Sequence, residues 1–110
     1  MANFDIKAVG SDALGAALIA LKGHAEKAKP FLKTEAMKMA QTGLQIVEGQ
    51  ATGDINAAQA KILLRMQASA SQSVLTAVET IGMIAAQDAI NAALGVVRGA
   101  INKAIGIAFL

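Results

Sequence analysis

The sequence contains no cysteine, tryptophan or tyrosine, and its 110 residues include one proline and one histidine. Without cysteine the chain has no disulfide, no thiolate ligand for zinc and no cysteine nucleophile. Eight acidic residues and the single histidine, His24, form no recognisable set of nucleophile, base and oxyanion donor. We therefore predict a protein that is not an enzyme and that has no cofactor, no bound metal and no small-molecule substrate.

Charged residues are also few, and their formal net charge of +2 is too small to indicate nucleic-acid binding. Sequence-specific recognition of nucleic acid is not expected, because the chain lacks tyrosine and tryptophan for base stacking and a cluster of arginines for base edges. Five lysines lie between residues 22 and 38, together with two glutamates. A solvated helix face is the common interpretation of such a run. Contact with phosphate, of lipid head groups or of packaged nucleic acid, is the alternative, with the candidates Lys22, Lys29 and Lys33.

Long uncharged hydrophobic runs are missing as well. No stretch of 18 uncharged apolar residues is present, so a conventional transmembrane helix is not predicted. The first residues lack the basic start, hydrophobic run and small-residue cleavage site of a signal peptide, so we expect synthesis in the cytoplasm.

Most of the chain is alanine-rich and has helical periodicity, with 25 alanines and 55% hydrophobic residues. Residues 1–11 alternate loosely and are predicted to form an extended arm, which Ser11 or Asp12 would end as a helix N-cap. A first helical arm is predicted over residues 12–50. A kink or break is expected near Pro30, which cannot donate a backbone hydrogen bond.

The strongest turn signal is Gly49–Asp54, where Gly53 suits a positive φ and Asp54 suits the next N-cap. A second helical arm is predicted over residues 54–110. A bend near Gly82 is favoured over a break there, although one continuous helix would be about 84 Å long. The fold predicted for the single domain 1–110 is therefore all-α, a long helical hairpin with antiparallel arms.

The C-terminal third carries an apolar ridge that is widened by alanines over most of the helix circumference. The ridge consists of Ile90, Leu94, Val97, Ile101 and Ile105. A helix that is apolar nearly all round is buried in protein or lipid, and a chain of this size has little other protein to cover it. We expect an oligomeric bundle, a helix on a membrane surface, or a bundle inside a membrane.

Small residues recur every four positions at Ser69, Ser73 and Ala77, and again at Gly95 and Gly99. Such spacing lets two helix backbones approach closely. The partner helix could belong to the same hairpin or to another subunit, and the sequence leaves both possibilities open.

Residues 53–58 and 89–98 resemble segments of small, Ala- and Gly-rich helical proteins of bacterial viruses, which include virion-interior, membrane-associated and ejection-channel components. The resemblance covers roughly residues 50–110, whereas the lysine-bearing first half departs from it. It implies an assembly role without chemistry, located in a virion or at a host membrane.

The leading hypothesis is a non-enzymatic structural or assembly subunit that packs with copies of itself or with other virion proteins, in the interior, tail or ejection channel. In this hypothesis the apolar ridge forms the contact, and Ile101→Asp abolishes assembly because a buried carboxylate is unpaired. A membrane-associated or pore-forming amphipathic protein is the alternative. A third possibility is a binding module whose groove accepts a partner helix.

Overall fold

The computed structural model describes residues 4–78 and 81–110 of the chain. Helix α1 spans Ile6–Leu21 and is followed by a 3-10 turn at Lys22–His24. Helix α2 spans Ala25–Thr52, α3 spans Ala57–Thr76 and α4 spans Met83–Ile105. No β-strand occurs in these two ranges, and the predicted all-α class is confirmed.

Helix α1 begins at Ile6 because the side chain of Asp5 caps it. The Asp5 carboxylate accepts hydrogen bonds from the backbone N–H of Lys7 at 3.0 Å and of Ala8 at 3.3 Å. The prediction of an extended arm over 1–11 is therefore wrong for residues 6–11, and residues 1–3 lie outside the described ranges. Ser11 and Asp12 are exposed positions inside the helix rather than caps.

The chain reverses direction at Lys22–His24. Lys22 has φ 51° and ψ −115°, and its N–H donates to the Ile19 carbonyl. After this turn, α2 runs back along α1. A Cβ added to Gly10 of α1 would therefore meet Met37 and Ala40 of α2. A continuous helix through both segments would far exceed the molecule's longest dimension of 43 Å, which the 28 residues of α2 fill at about 1.5 Å each.

Of the kink or break predicted near Pro30, the break does not occur. Pro30 is the sixth residue of α2, and the helix continues through it. So close to the start of a helix, the missing N–H of proline removes a single intrahelical hydrogen bond. The sharp turn occurs earlier, where the chain adopts a positive φ.

The predicted turn between α2 and α3 is confirmed. Gly53 is left-handed, with φ 82°, and the N–H of Asp54 donates to the Gly49 carbonyl at 2.8 Å. The N-cap of α3 is Asn56 rather than the predicted Asp54. Asn56 and Gln59 form a reciprocal capping box, with bonds of 2.8 and 2.9 Å between each side chain and the other residue's N–H.

The second predicted arm is two helices, not one bent helix. Helix α3 ends at Thr76, and α4 starts at Met83 with Gly82 as its N-cap. The preference for a bend near Gly82 is therefore wrong, although residues 79 and 80 lie outside the description. After α4 the last residues fold back, because the Asn102 side chain accepts from the Leu110 N–H at 2.8 Å and donates to its carbonyl at 3.3 Å.

The four helices form an up-down-up-down bundle. The predicted hairpin at Gly53 is present, but each of its two predicted arms consists of two helices that pack against each other. Helix α1 packs against α2 and α4, and α3 packs against the same two helices, but in the described residues α1 and α3 do not touch. Helices α1 and α4 pack against each other, and both bury small side chains with no more than 1% exposure, namely Ala13, Ala17, Ala86, Ala89 and Ala93.

Candidate functional site

The apolar ridge of the C-terminal third lies largely inside the chain's own bundle. Ile90, Val97 and Ile101 are each at most 1% exposed. Leu94 and Ile105 are half-buried and pack against the same core. The premise that a chain of this size cannot cover its C-terminal helix is therefore wrong, because the reversal at Lys22–His24 places α1 as well as α2 over α4.

The predicted small-residue positions lie on the outside of the bundle. Ser69, Ser73 and Ala77 are exposed. Gly95 and Gly99 are also exposed, and a Cβ added to either would have no neighbour within 4 Å. Packing of these positions within the hairpin is therefore excluded, while packing between subunits stays a prediction.

The outer face of α3 combines these serines with two large apolar side chains. Ile62 is 55% exposed and Met66 is 64% exposed. Together with Ser69 and Ser73 they form what we call the α3 stripe, with spacings of four, three and four residues. That spacing is the 3.5-residue period of helices that pack along their length. Met83 extends the surface, since it borders a shallow hollow with Ser69 and Ser73.

The predicted phosphate contacts are exposed but are not gathered into one site. Lys22 lies on the 3-10 turn, beside a hollow that also includes Ile84 and Asp88. Lys29 and Lys33 lie one turn apart on the outer face of α2, and Lys33 borders a different hollow. These lysines fit a solvated helix face better than a common binding site.

A groove between α3 and α4 was not predicted from the sequence. This α3–α4 groove has a volume of about 560 Å³, and the residues that line it are Lys61, Leu64, Arg65, Ala68, Ser69, Gln72, Ile90, Asn91, Leu94, Arg98 and Leu110. Three of them are cations and none is acidic. Only the reversal between α3 and α4 brings Arg98 close to Lys61 and Arg65, so no local sequence pattern marks the groove.

The cations of the α3–α4 groove have no anionic partner in the described part of the chain. The ion pair found in the described residues joins Lys38 Nζ to Glu35 Oε2 at 3.2 Å, and both residues lie on α2, outside the groove. Lys61, Arg65 and Arg98 therefore keep their charges available for an anion that enters the groove.

A buried polar network joins α2 to α3 and was also not predicted. Glu35 is 3% exposed, and its Oε1 accepts a hydrogen bond from Ser71 Oγ at 2.9 Å. Gln67 Nε2 donates to Ser71 Oγ at 3.1 Å, and Thr42 Oγ1 donates to Gln67 Oε1 at 3.4 Å. Because each buried polar group has a partner, the network fixes the register of the two helices.

Two further findings concern metals and membranes. In the ranges 4–78 and 81–110, no three side chains of the His, Asp and Glu types come together as metal ligands would. None of the helices over these ranges combines the length and the apolar character needed to cross a membrane.

Comparison with known protein families, with characterised proteins and with solved structures finds no match for this chain.

Proposed function

We propose that the protein is a non-enzymatic assembly subunit that associates with a second copy of itself through the α3 stripe. The observation that carries the proposal is the alignment of exposed Ile62 and Met66 with the small residues Ser69 and Ser73. The resemblance to helical virion proteins supports such an assembly role, and a phage particle would be its setting. The contact proposed here replaces the apolar ridge, whose main residues are buried.

The sequence of the α3 stripe favours an antiparallel pair of helices. In this orientation the large Ile62 and Met66 of one copy face the small Ser73 and Ser69 of the other, so that the two surfaces interlock. Both cations of α3, Lys61 and Arg65, lie in its first half, and an antiparallel pair keeps the like charges of the two copies apart. A two-fold axis between Met66 and Ser69 makes the same patch serve both copies.

Analytical ultracentrifugation over a roughly hundredfold range of protein concentration tests the self-association. We expect a monomer–dimer equilibrium for the native chain and a monomer for Ile62→Asp and Met66→Asp. The matched control is Ile19→Asp, since Ile19 is 79% exposed and lies on α1, away from the stripe. A native chain that stays monomeric at every concentration refutes the proposal, and so does an equal loss of dimer in the control.

Single cysteines test the orientation, since the chain has none of its own. Near the two-fold axis, Ser69→Cys should form a disulfide-linked dimer under mild oxidation. Ser73→Cys should not, because its two copies would be about 16 Å apart along the helices, beyond disulfide reach. Equal cross-linking of both variants would indicate a parallel pair and contradict the proposed geometry.

Membrane attachment is a second candidate, favoured by two isoleucines at the end of the bundle that carries the 3-10 turn. Ile19 and Ile84 are 79% and 76% exposed, and Ile84 shares a hollow with Lys22. Apolar side chains beside a lysine suit the surface of an anionic bilayer. Flotation with phosphatidylglycerol vesicles tests it: the native chain should float, Ile84→Asp should not, and native protein left in the dense fraction removes this candidate.

A further inference from the structure

The α3–α4 groove has a charged end and an apolar stretch. The residues that line it on α3 run from Lys61 to Gln72, a length of about 16 Å. Because α4 runs antiparallel to α3, Arg98 lies at the same end of the groove as Lys61 and Arg65. Positive charge is therefore concentrated at one end rather than spread along the whole length.

That charged end suits a carboxylate or a similar small anion. Guanidinium groups offer several N–H donors in a planar arrangement, and Lys61 adds a third positive charge. No acidic side chain lines the groove.

Beyond the cations the lining of the groove is mixed, with the polar side chains of Ser69, Gln72 and Asn91 beside an apolar strip. Leu94 and Ala68 are half-buried along it, above the buried Leu64 and Ile90. The small side chain of Ala68 leaves room at mid-groove for a chain of methylene groups. Leu110 closes part of one wall, where its N–H donates to the Asn102 side chain and its carbonyl accepts from it.

We infer that the α3–α4 groove binds one molecule of a single-chain amphiphile with an anionic head, of the fatty-acid type. The carboxylate is held by Arg65, Arg98 and Lys61, and the alkyl chain lies over Ala68 and Leu94. The volume of about 560 Å³ is within the range of small-molecule sites and is small for a docking protein helix. The inference does not depend on self-association through the α3 stripe.

Isothermal titration calorimetry with three soluble probes tests head and tail separately. Dodecanoate, kept below its micellar concentration, should bind with a stoichiometry of one per chain. Dodecyltrimethylammonium has the same tail with a cationic head and should bind at least about tenfold more weakly, and acetate, which lacks the tail, should not bind measurably. Equal binding of the two long-chain probes would overturn the inference.

Variants place the binding in the groove. Arg65→Gln and Arg98→Gln should each weaken dodecanoate binding about tenfold, the effect of losing one charge-assisted hydrogen bond. The matched control Lys29→Gln removes a positive charge from the outer face of α2 and should leave affinity unchanged. Ala68→Leu should block binding by filling the groove, with circular dichroism confirming that the variant remains folded.

Two outcomes would contradict the assignment. If Lys29→Gln weakens dodecanoate as much as Arg98→Gln does, the attraction comes from overall charge and not from the groove. If the protein floats with phosphatidylglycerol vesicles but does not bind monomeric dodecanoate, its lipid contact is a membrane surface, and the proposed single-molecule site is wrong.

Discussion

Helix α3 and helix α4 use small residues in opposite ways. On α4, Ala86, Ala89 and Ala93 face inward and are at most 1% exposed. On α3, Ser69 and Ser73 face outward beside exposed apolar side chains. The inner side of α3 is attached by a hydrogen-bonded network to α2 and is separated from α4 along part of its length by a groove.

This difference shows that small-residue spacing marks a surface capable of close packing without specifying its partner. In α4 the small residues are covered by other helices of the same chain, and this packing contributes to the stability of the bundle. In α3 the equivalent surface is open, and we propose that a second chain covers it. Burial decides between the two roles, so substitutions of one type on each helix test the comparison directly.

The largest expected difference is between Ile101→Ala and Ile62→Ala. Ile101 is fully buried, and its truncation leaves a cavity that should lower the free energy of unfolding by about 3 kcal/mol. Ile62 is 55% exposed, and its truncation should change the free energy by less than about 0.5 kcal/mol. Urea denaturation at low protein concentration, where self-association is absent, measures both.

Equal losses of stability at the two positions would mean that Ile101 of α4 does not lie in the core of the bundle. The expectation that Ile101→Asp acts on assembly changes for the same reason. Ile101 lies inside the chain, so an aspartate there should unfold the monomer before any contact between subunits is affected.

The sequence was sufficient for the helical class and for the Gly53 turn, because alanine-rich periodicity and a glycine with positive φ are local signals. It was insufficient for the reversal at Lys22–His24, where Lys22 itself carries the positive φ. With that reversal missed, α1 was not available to cover α4, and the apolar ridge was interpreted as surface.

The candidate sites were predictable only in part. The exposed Ser69 and Ser73 were found from their spacing, although the two large residues of the stripe were not. The α3–α4 groove depends on bringing Arg65 next to Arg98 through tertiary structure, which no spacing rule contains. Glu35 was missed as a buried group because a glutamate in a lysine-rich helix resembles a solvated residue, and its partner Ser71 lies on another helix.

A smaller difference is expected within α3 itself, between Ser71→Ala and Ser73→Ala. Removing the Ser71 hydroxyl leaves Glu35 Oε1 and Gln67 Nε2 without their partner inside the bundle, which should cost about 2 kcal/mol. The Ser73 hydroxyl is exposed and donates only to the Ser69 carbonyl of its own helix, so its loss should matter by less than about 0.5 kcal/mol. Thermal denaturation compares the two, and equal stabilities would show that the network does not hold α3 in place.

The smallest effect concerns two glycines, one at a helix contact and one on the surface. Gly99 has open space around it, so Gly99→Ala should stabilise the chain by up to about 1 kcal/mol through helix propensity. At Gly43 a Cβ would lie 2.7 Å from Phe4 Cζ and 3.1 Å from Val97 Cγ1, and the crowding should cancel that gain. A melting temperature several degrees higher for Gly99→Ala than for Gly43→Ala is expected. The reverse order would show that the packing around Gly43 is loose enough to accept a methyl group. Buried and open small residues would then differ only in the amount of space around them.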